Sequence, residues 1–259
     1  MIVTTARKQA TALEQTARLY ADQLQASFVQ REDRSLETLT SLYSEDLLIV
    51  AKNKVMLYPL DRANPFFYHP NAALLRYKQW KQTGHDPFIE ITGLKAGETC
   101  IDATLGMAAD SIIAQLAVGE TGTVIGLEAN NEIAFVVQKG LHTWNEADAL
   151  FLNAMRQIQV HQVDSLSYLK NRADKSAEIV YFDPMFETKI DSPGLAGMRH
   201  YACHFPVTAE HIAEASRIAT RAVVLKDHFK SSQFAKYGFT VQRRQHAAFQ
   251  YGRLDVSQQ

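Results

Sequence analysis

"ETCIDATLGMAADSIIAQLAVGETGTVIGLEA", residues 98–129, decides the fold. The apolar run closing on Asp102 reads as a strand, Gly106 opens a turn, "MAADSIIAQLAV" has helical period, and "TVIGLEA" is a second strand that ends on Glu128. Strand, helix and strand in that order make a parallel crossover unit.

Downstream the pattern repeats. "IQVHQVD", "EIVYFDP" and "RAVVLKD" are further short apolar runs closed by a polar residue, with "NEIAFVVQKGLHTWNEADALFLNAMRQ", "SLSYLKN" and "TAEHIAEASRIA" as crossover helices between them. Thr208, with Glu210 and His211 behind it, gives the last helix a polar start. "FTVQRRQ" and "AAFQYGRLD" leave no room for a helix between them and are expected to pair antiparallel. The expected fold is α/β and Rossmann-like. Its mostly parallel seven-stranded sheet carries an antiparallel C-terminal strand, the class I methyltransferase architecture.

Upstream the texture changes. Residues 1–65 are expected to form a small α+β domain, with a helix in "ARKQATALEQTARLYADQL" and a hairpin in "DLLIVAKNKVMLYPL" turned at Asn53 and Lys54. "DRANPFFYHPN", with two prolines and clustered aromatics, reads as a packed join to a second domain, 66–259. A chain of 259 residues, 46% of them hydrophobic, can bury a full core. The 27 Lys and Arg against 28 Asp and Glu give no overall basic excess, so any nucleic-acid partner has to be held by a local patch. Cys100 and Cys203 form no CxxC pair, the first twenty residues lack the apolar core of a signal peptide, and no apolar run suffices to span a bilayer. A reduced, cytoplasmic setting is expected.

The chemistry lies at the strand ends. A single Gly106 after Asp102 is weaker than a dinucleotide GxGxxG, and Glu128 one crossover later suits a ribose diol in either NAD or another nucleoside cofactor. Asp164 with Ser165, and then Asp183, extend the series to four acids on successive strand ends. Carboxylates held together need cationic or hydroxyl-rich partners. S-adenosylmethionine offers a sulfonium, a ribose diol and an adenine amine, with Asp164 placed for the amine; helix N-caps are the plainer reading for any one of the acids. In "YFDPMF" the Asp183 carboxylate and the Pro184 carbonyl can both accept from one exocyclic base amine, because proline has no competing N–H, and Phe186 can stack on a base drawn out of its helix.

"VYFDPMF" followed by "TK", with "IDATLGMAAD" before it and "AVVLKD" after it, resembles the RsmJ family of small-subunit ribosomal RNA guanine-N2 methyltransferases over about residues 95–255. The resemblance implies S-adenosylmethionine as cofactor and ribosomal RNA or the small ribosomal subunit as partner, and the acceptor chemistry of the turn makes Asp183, Pro184 and Phe186 the candidates for catalysis. It implies cofactor contacts at Ala109, Asp110, Glu128, Ala129, Asp164, Ser165 and Asp183, which join Asp102 and Gly106 as read from the strand ends. Ala108 and Ala109 depart from a family pattern that has a second glycine and an arginine there, so one contact is lost or made by backbone alone. The alternatives are a catalytically silent assembly factor that binds cofactor and RNA, and a methyltransferase for a protein or a small molecule.

Residues 185–207 are expected to form a lid. Lys189, Arg199 and His200 within it, with Lys226, His228 and Lys230 after the fifth strand, are candidates for the basic patch. His200, Cys203 and His204 have helix-like spacing but lack the second ligand pair a zinc site needs, so no metal is expected. Trp80 and Trp144 are expected to pack in helices, and Arg243 and Arg244 to lie on opposite faces of a strand.

Overall fold

The computed structural model describes residues 1–61, 64–184, 198, 201, 206–244 and 247–256. They fall into two compact units. In the first, "IVTT" and "LLIV" are buried along their whole length, as strands covered on both faces must be. They form β1 (Ile2–Thr5) and, after α1 (Ala10–Gln23), β2 (Ser27–Phe28) and α2 (Leu36–Tyr43), the strand β3 (Leu47–Val50). β3 turns through residues 51–54 into antiparallel β4 (Val55–Tyr58), and β5 (Phe66–Phe67) completes a sheet of order β2-β1-β3-β4-β5. The Ala51 amide donates to the Lys54 carbonyl at 3.0 Å and closes the expected hairpin.

The helix at 131–143, read from sequence as part of one long crossover, belongs to this first unit. Its Phe135 ring meets Tyr20 of α1 edge-on at 5.1 Å. Gly140 is forced by contact, since a Cβ there would lie 2.2 Å from the Tyr68 ring.

The second unit opens with α3 (Asn71–Thr83) and α4 (Pro87–Thr92). There follow β6 (Thr99–Asp102), α5 (Ala109–Val118), β7 (Thr123–Glu128), and, beyond the helix just placed, numbered α6 (Asn131–Thr143), α7 (Ala149–Gln157). The chain continues through β8 (Gln159–Gln162), α8 (Ser165–Lys170), β9 (Ala177–Phe182), α9 (Ala209–Ile218), β10 (Ala219–His228), α10 (Gln233–Lys236), β11 (Thr240–Gln242) and β12 (Phe249–Asp255). The sheet order is β11-β12-β10-β9-β6-β7-β8. β8, β7, β6, β9 and β10 are parallel, and β12 runs antiparallel to both neighbours. This is the expected Rossmann-like sheet with its antiparallel C-terminal strand.

Local chemistry explains the helix boundaries. The long helical stretch read from the sequence stops at Thr143 and restarts at Ala149, where Asp148 caps α7 by accepting from the Phe151 amide at 3.1 Å. Thr208 and His211 form a reciprocal capping box at the start of α9. Ile101, Ile125, Leu127, Val180, Phe182, Val223 and Leu225, from the four adjacent parallel strands β10, β9, β6 and β7, fill the core beneath the site.

Candidate active site

β6 ends on Asp102, whose side chain is buried and turned back into the protein. It accepts from the Thr104 amide at 3.1 Å and from the Ser111 hydroxyl at 2.6 Å. Burial pushes this carboxyl up to about 7, against the pull of those two hydrogen bonds. Thr104 in turn uses its hydroxyl oxygen to accept from the Asp183 amide at 2.6 Å, so the turn after β6 is tied to the turn after β9. The loop then passes Gly106 and Ala108, both with positive φ (49° and 58°). Ala108 thus adopts the left-handed geometry that glycine takes freely, at a cost of roughly 1–2 kcal/mol. Among the described residues no side chain caps α5, which begins at Ala109, so its first-turn amides have no described side-chain acceptor.

The four acids stand at neighbouring strand ends, β9, β6, β7 and β8 in spatial order. Glu128 closes β7 and is half-buried, and its carbonyl accepts from the Val163 amide at 2.9 Å. The carbonyl of Ala129 accepts from Gln162 Nε2 at 3.4 Å. Asp164 is exposed and caps α8, which starts at Ser165, by accepting from the Ser167 amide at 2.8 Å through Oδ1. The plainer reading therefore holds for that oxygen of Asp164.

Asp110 is held by donors of the protein itself. Its carboxylate is buried and accepts from Arg76 Nη1 at 2.5 Å, from the Tyr181 hydroxyl at 2.9 Å and from Lys226 Nζ at 3.1 Å. Burial works to raise its pKa, and the Lys226 and Arg76 charges overturn this and hold it well below the carboxylate range. Arg76 also grips Asp86, the cap of α4, at 2.9 and 3.0 Å. Lys226 is no part of a surface patch. It is 14% exposed and reaches Asp183 Oδ2 at 2.6 Å. For Lys226 the burial penalty on the ammonium is outweighed by Asp110 and Asp183, which raise its pKa above the ordinary range.

Asp183 and Pro184 follow β9 directly and are both half-buried. Among the described residues no donor reaches Asp183 Oδ1, and the side chain keeps 26% of its surface exposed. Burial pushes this carboxyl up to about 6, with Lys226 working against the rise. Beyond them, at the end of β10, His228 and Phe229 rings lie 4.5 Å apart, Lys230 sits 5.4 Å from the Phe229 ring, and Phe229 is 52% exposed. Arg244, just past β11, lies over Phe249 at 4.9 Å. Trp80 lies in α3 and Trp144 at the end of α6. Phe186, Lys189, Arg199, His200, Cys203 and His204 are outside the described residues.

The residues that sequence reasoning missed are Arg76, Asp86 and Tyr181. Tyr181 sits within the quoted strand, where it reads as one more apolar residue. Arg76 lies in a helix before the first strand of the sheet and carries no motif.

The donor set fits a nucleoside cofactor with a cationic centre: acidic strand ends, among them an acid closing the second strand, and a helix start beside them without a side-chain cap among the described residues. The family described as "Putative SAM-dependent methyltransferase" matches residues 36–197. The chain is 38% identical over 257 residues to YpiP of Bacillus subtilis (strain 168), an uncharacterized protein, covering 99% of this chain and 100% of that one. The fold is similar to that of the SAM-dependent methyltransferase NGO1261 from Neisseria gonorrhoeae, with a TM-score of 0.63 at 15% identity over 99% of this chain and 96% of the other. With the sheet order, the acidic strand ends and the family match together, the chain belongs to this family of S-adenosylmethionine-dependent methyltransferases.

Proposed function

We propose that the chain methylates an exocyclic nitrogen of a nucleobase, the N2 of guanine in small-subunit ribosomal RNA. The observation that supports this reading most is the Asp183–Pro184 turn. It stands at the open end of β9, is anchored through its amide to Thr104, and has one carboxylate oxygen that no described group uses. A carboxylate oxygen and a proline carbonyl side by side are two acceptors with no donor between them, which suits an amine with two hydrogens to place. Holding both hydrogens out of the base plane localises on nitrogen a lone pair that is otherwise delocalised into the ring. When bound, S-adenosylmethionine supplies a methyl group on a cationic sulfur.

The remaining assignments follow from the order of the strand ends. Glu128 accepts from the ribose diol, and Asp164, through the oxygen that does not cap α8, accepts from the adenine amine. The backbone at Ala109, at the uncapped start of α5, receives the cofactor's carboxylate. Asp102 and Asp110 act from behind the site, because their carboxylates are filled by protein donors. Phe186 stacks on the extruded base. The exposed Phe229, flanked by His228 and Lys230, offers a further platform of the kind that single-stranded nucleic acid uses.

Two variants test the reading. Asp183→Ala abolishes methyl transfer to RNA while cofactor affinity falls much less, because the amine contact is used chiefly as the transition state is approached. Glu128→Ala weakens cofactor binding by about 3 kcal/mol, roughly a hundredfold, in calorimetry. Full turnover in Asp183→Ala would remove the turn from the reaction, and unchanged affinity in Glu128→Ala would remove that acid from the cofactor site. An assembly factor without catalysis would bind cofactor and RNA and transfer no methyl group.

A further inference from the structure

Lys226 is a buried cation that methyl transfer as described above does not use. The parallel register of β10 on β9 sets Leu225 opposite Phe182, so the next residues along, Lys226 and Asp183, come level at the strand ends. Nζ then donates to Asp183 Oδ2 at 2.6 Å and to Asp110 Oδ2 at 3.1 Å, and it lies 4.7 Å from the Phe249 ring. A buried ammonium needs such partners. The partners need it too. Asp183 is surrounded by Asp102 from the end of β6, by Asp110 from α5, by Tyr181 on its own strand and Tyr251 on β12, and by Arg76 from α3, whose guanidinium is already shared between Asp86 and Asp110.

We propose that Lys226 is a positioning residue that keeps the Asp183 carboxylate charged and fixes Oδ2 on itself, so that Oδ1 is the oxygen presented to the substrate amine. The proposal rests on the reading of Asp183 as the amine acceptor. Its physical content is simple. A protonated Asp183 would offer a hydrogen where the amine needs an acceptor, and an unanchored one would be free to rotate. With Asp102 and Asp110 close by, loss of the ammonium favours the protonated form. Asp110, held by Arg76 and Tyr181, fixes the ammonium from the other side.

The test is a carboxyl-carbon NMR titration of the free protein, with the Asp183 signal assigned through Asp183→Asn. In Lys226→Met the Asp183 midpoint moves up by about 1 to 3 pH units, and Lys226→Arg restores most of the difference. Lys226→Gln keeps a donor to both carboxylates without the charge. It supplies a folded variant should the methionine prove too disruptive, and it shows the same upward direction. In methyl transfer the acidic limb of kcat/KM moves up with the midpoint. A midpoint that stays in place in both neutral variants, or an arginine variant that titrates like the methionine one, would overturn the proposal. The titration needs no substrate. Absence of RNA methylation would therefore count against the substrate reading, while the midpoint still decides the role of Lys226.

Discussion

Asp102 and Asp110, eight positions apart, are drawn in opposite directions by their surroundings. Asp102 faces two neutral donors and is raised by burial to about 7; Asp110 faces two cations and is lowered. The sign of the Asp102 effect follows from linkage. Its folded pKa stands above the ordinary 3.8, so its favourable contribution is complete below that value and is lost as pH rises to about 7. Asp102→Asn mimics the protonated form. Denaturant unfolding from pH 4 to 7 is expected to show the wild type losing stability relative to this variant by up to about 4 kcal/mol, whereas a gap independent of pH would mean that Asp102 is ionised throughout. The sequence made Asp102, Glu128 and Asp183 legible because each closes an apolar run. It could not show what fills Asp110, because Arg76, Tyr181 and Lys226 lie 34, 71 and 116 positions away. For the same reason the sequence places Lys226 among the candidates for a basic patch, although a lone cation at the end of a buried strand, level with an acid on the next, is a usable signal.

Among the elements, the turn from β6 into α5 depends on its neighbour β7. Leu105 donates its amide to the Leu127 carbonyl at 2.9 Å, and its side chain occupies the space a Cβ on Gly126 would need, at 2.3 Å. Gly126→Ala is expected to displace Leu105 and the turn that carries the start of α5, costing about 1–3 kcal/mol of stability and weakening cofactor binding. Pairing it with Leu105→Ala relieves the contact and recovers part of the affinity. Thermal unfolding and calorimetry check both effects, and a single variant that behaves as wild type in each would show the turn to be indifferent to Leu105. The strands were legible from their apolar runs and the C-terminal antiparallel pair from its short connection. The allegiance of α6 was not. Helical period marks an apolar face without saying which sheet covers it, and in this chain the covering residues, Tyr20 and Tyr68, come from far upstream.

For the whole molecule, a net charge of −1 means that the RNA of the proposed reaction would have to be held by local groups. Lys226 is buried in the ionic cluster, so in the second unit the exposed Phe229, with His228 and Lys230 beside it, is the described surface feature most suited to a base. Phe229→Ala is expected to weaken RNA binding by roughly 1–3 kcal/mol with the fold intact, as measured by equilibrium binding at fixed salt; equal affinity would place the RNA elsewhere. Among the described residues no helix is long and apolar enough to cross a membrane. The most direct test of the central claim is transfer of labelled methyl from S-adenosylmethionine to small ribosomal subunits lacking the modification, followed by nucleoside analysis with wild type and Asp183→Ala in parallel. The predicted result is N2-methylguanosine with the wild type and none with the variant; label on protein, on another nucleoside, or undiminished with Asp183→Ala would contradict it.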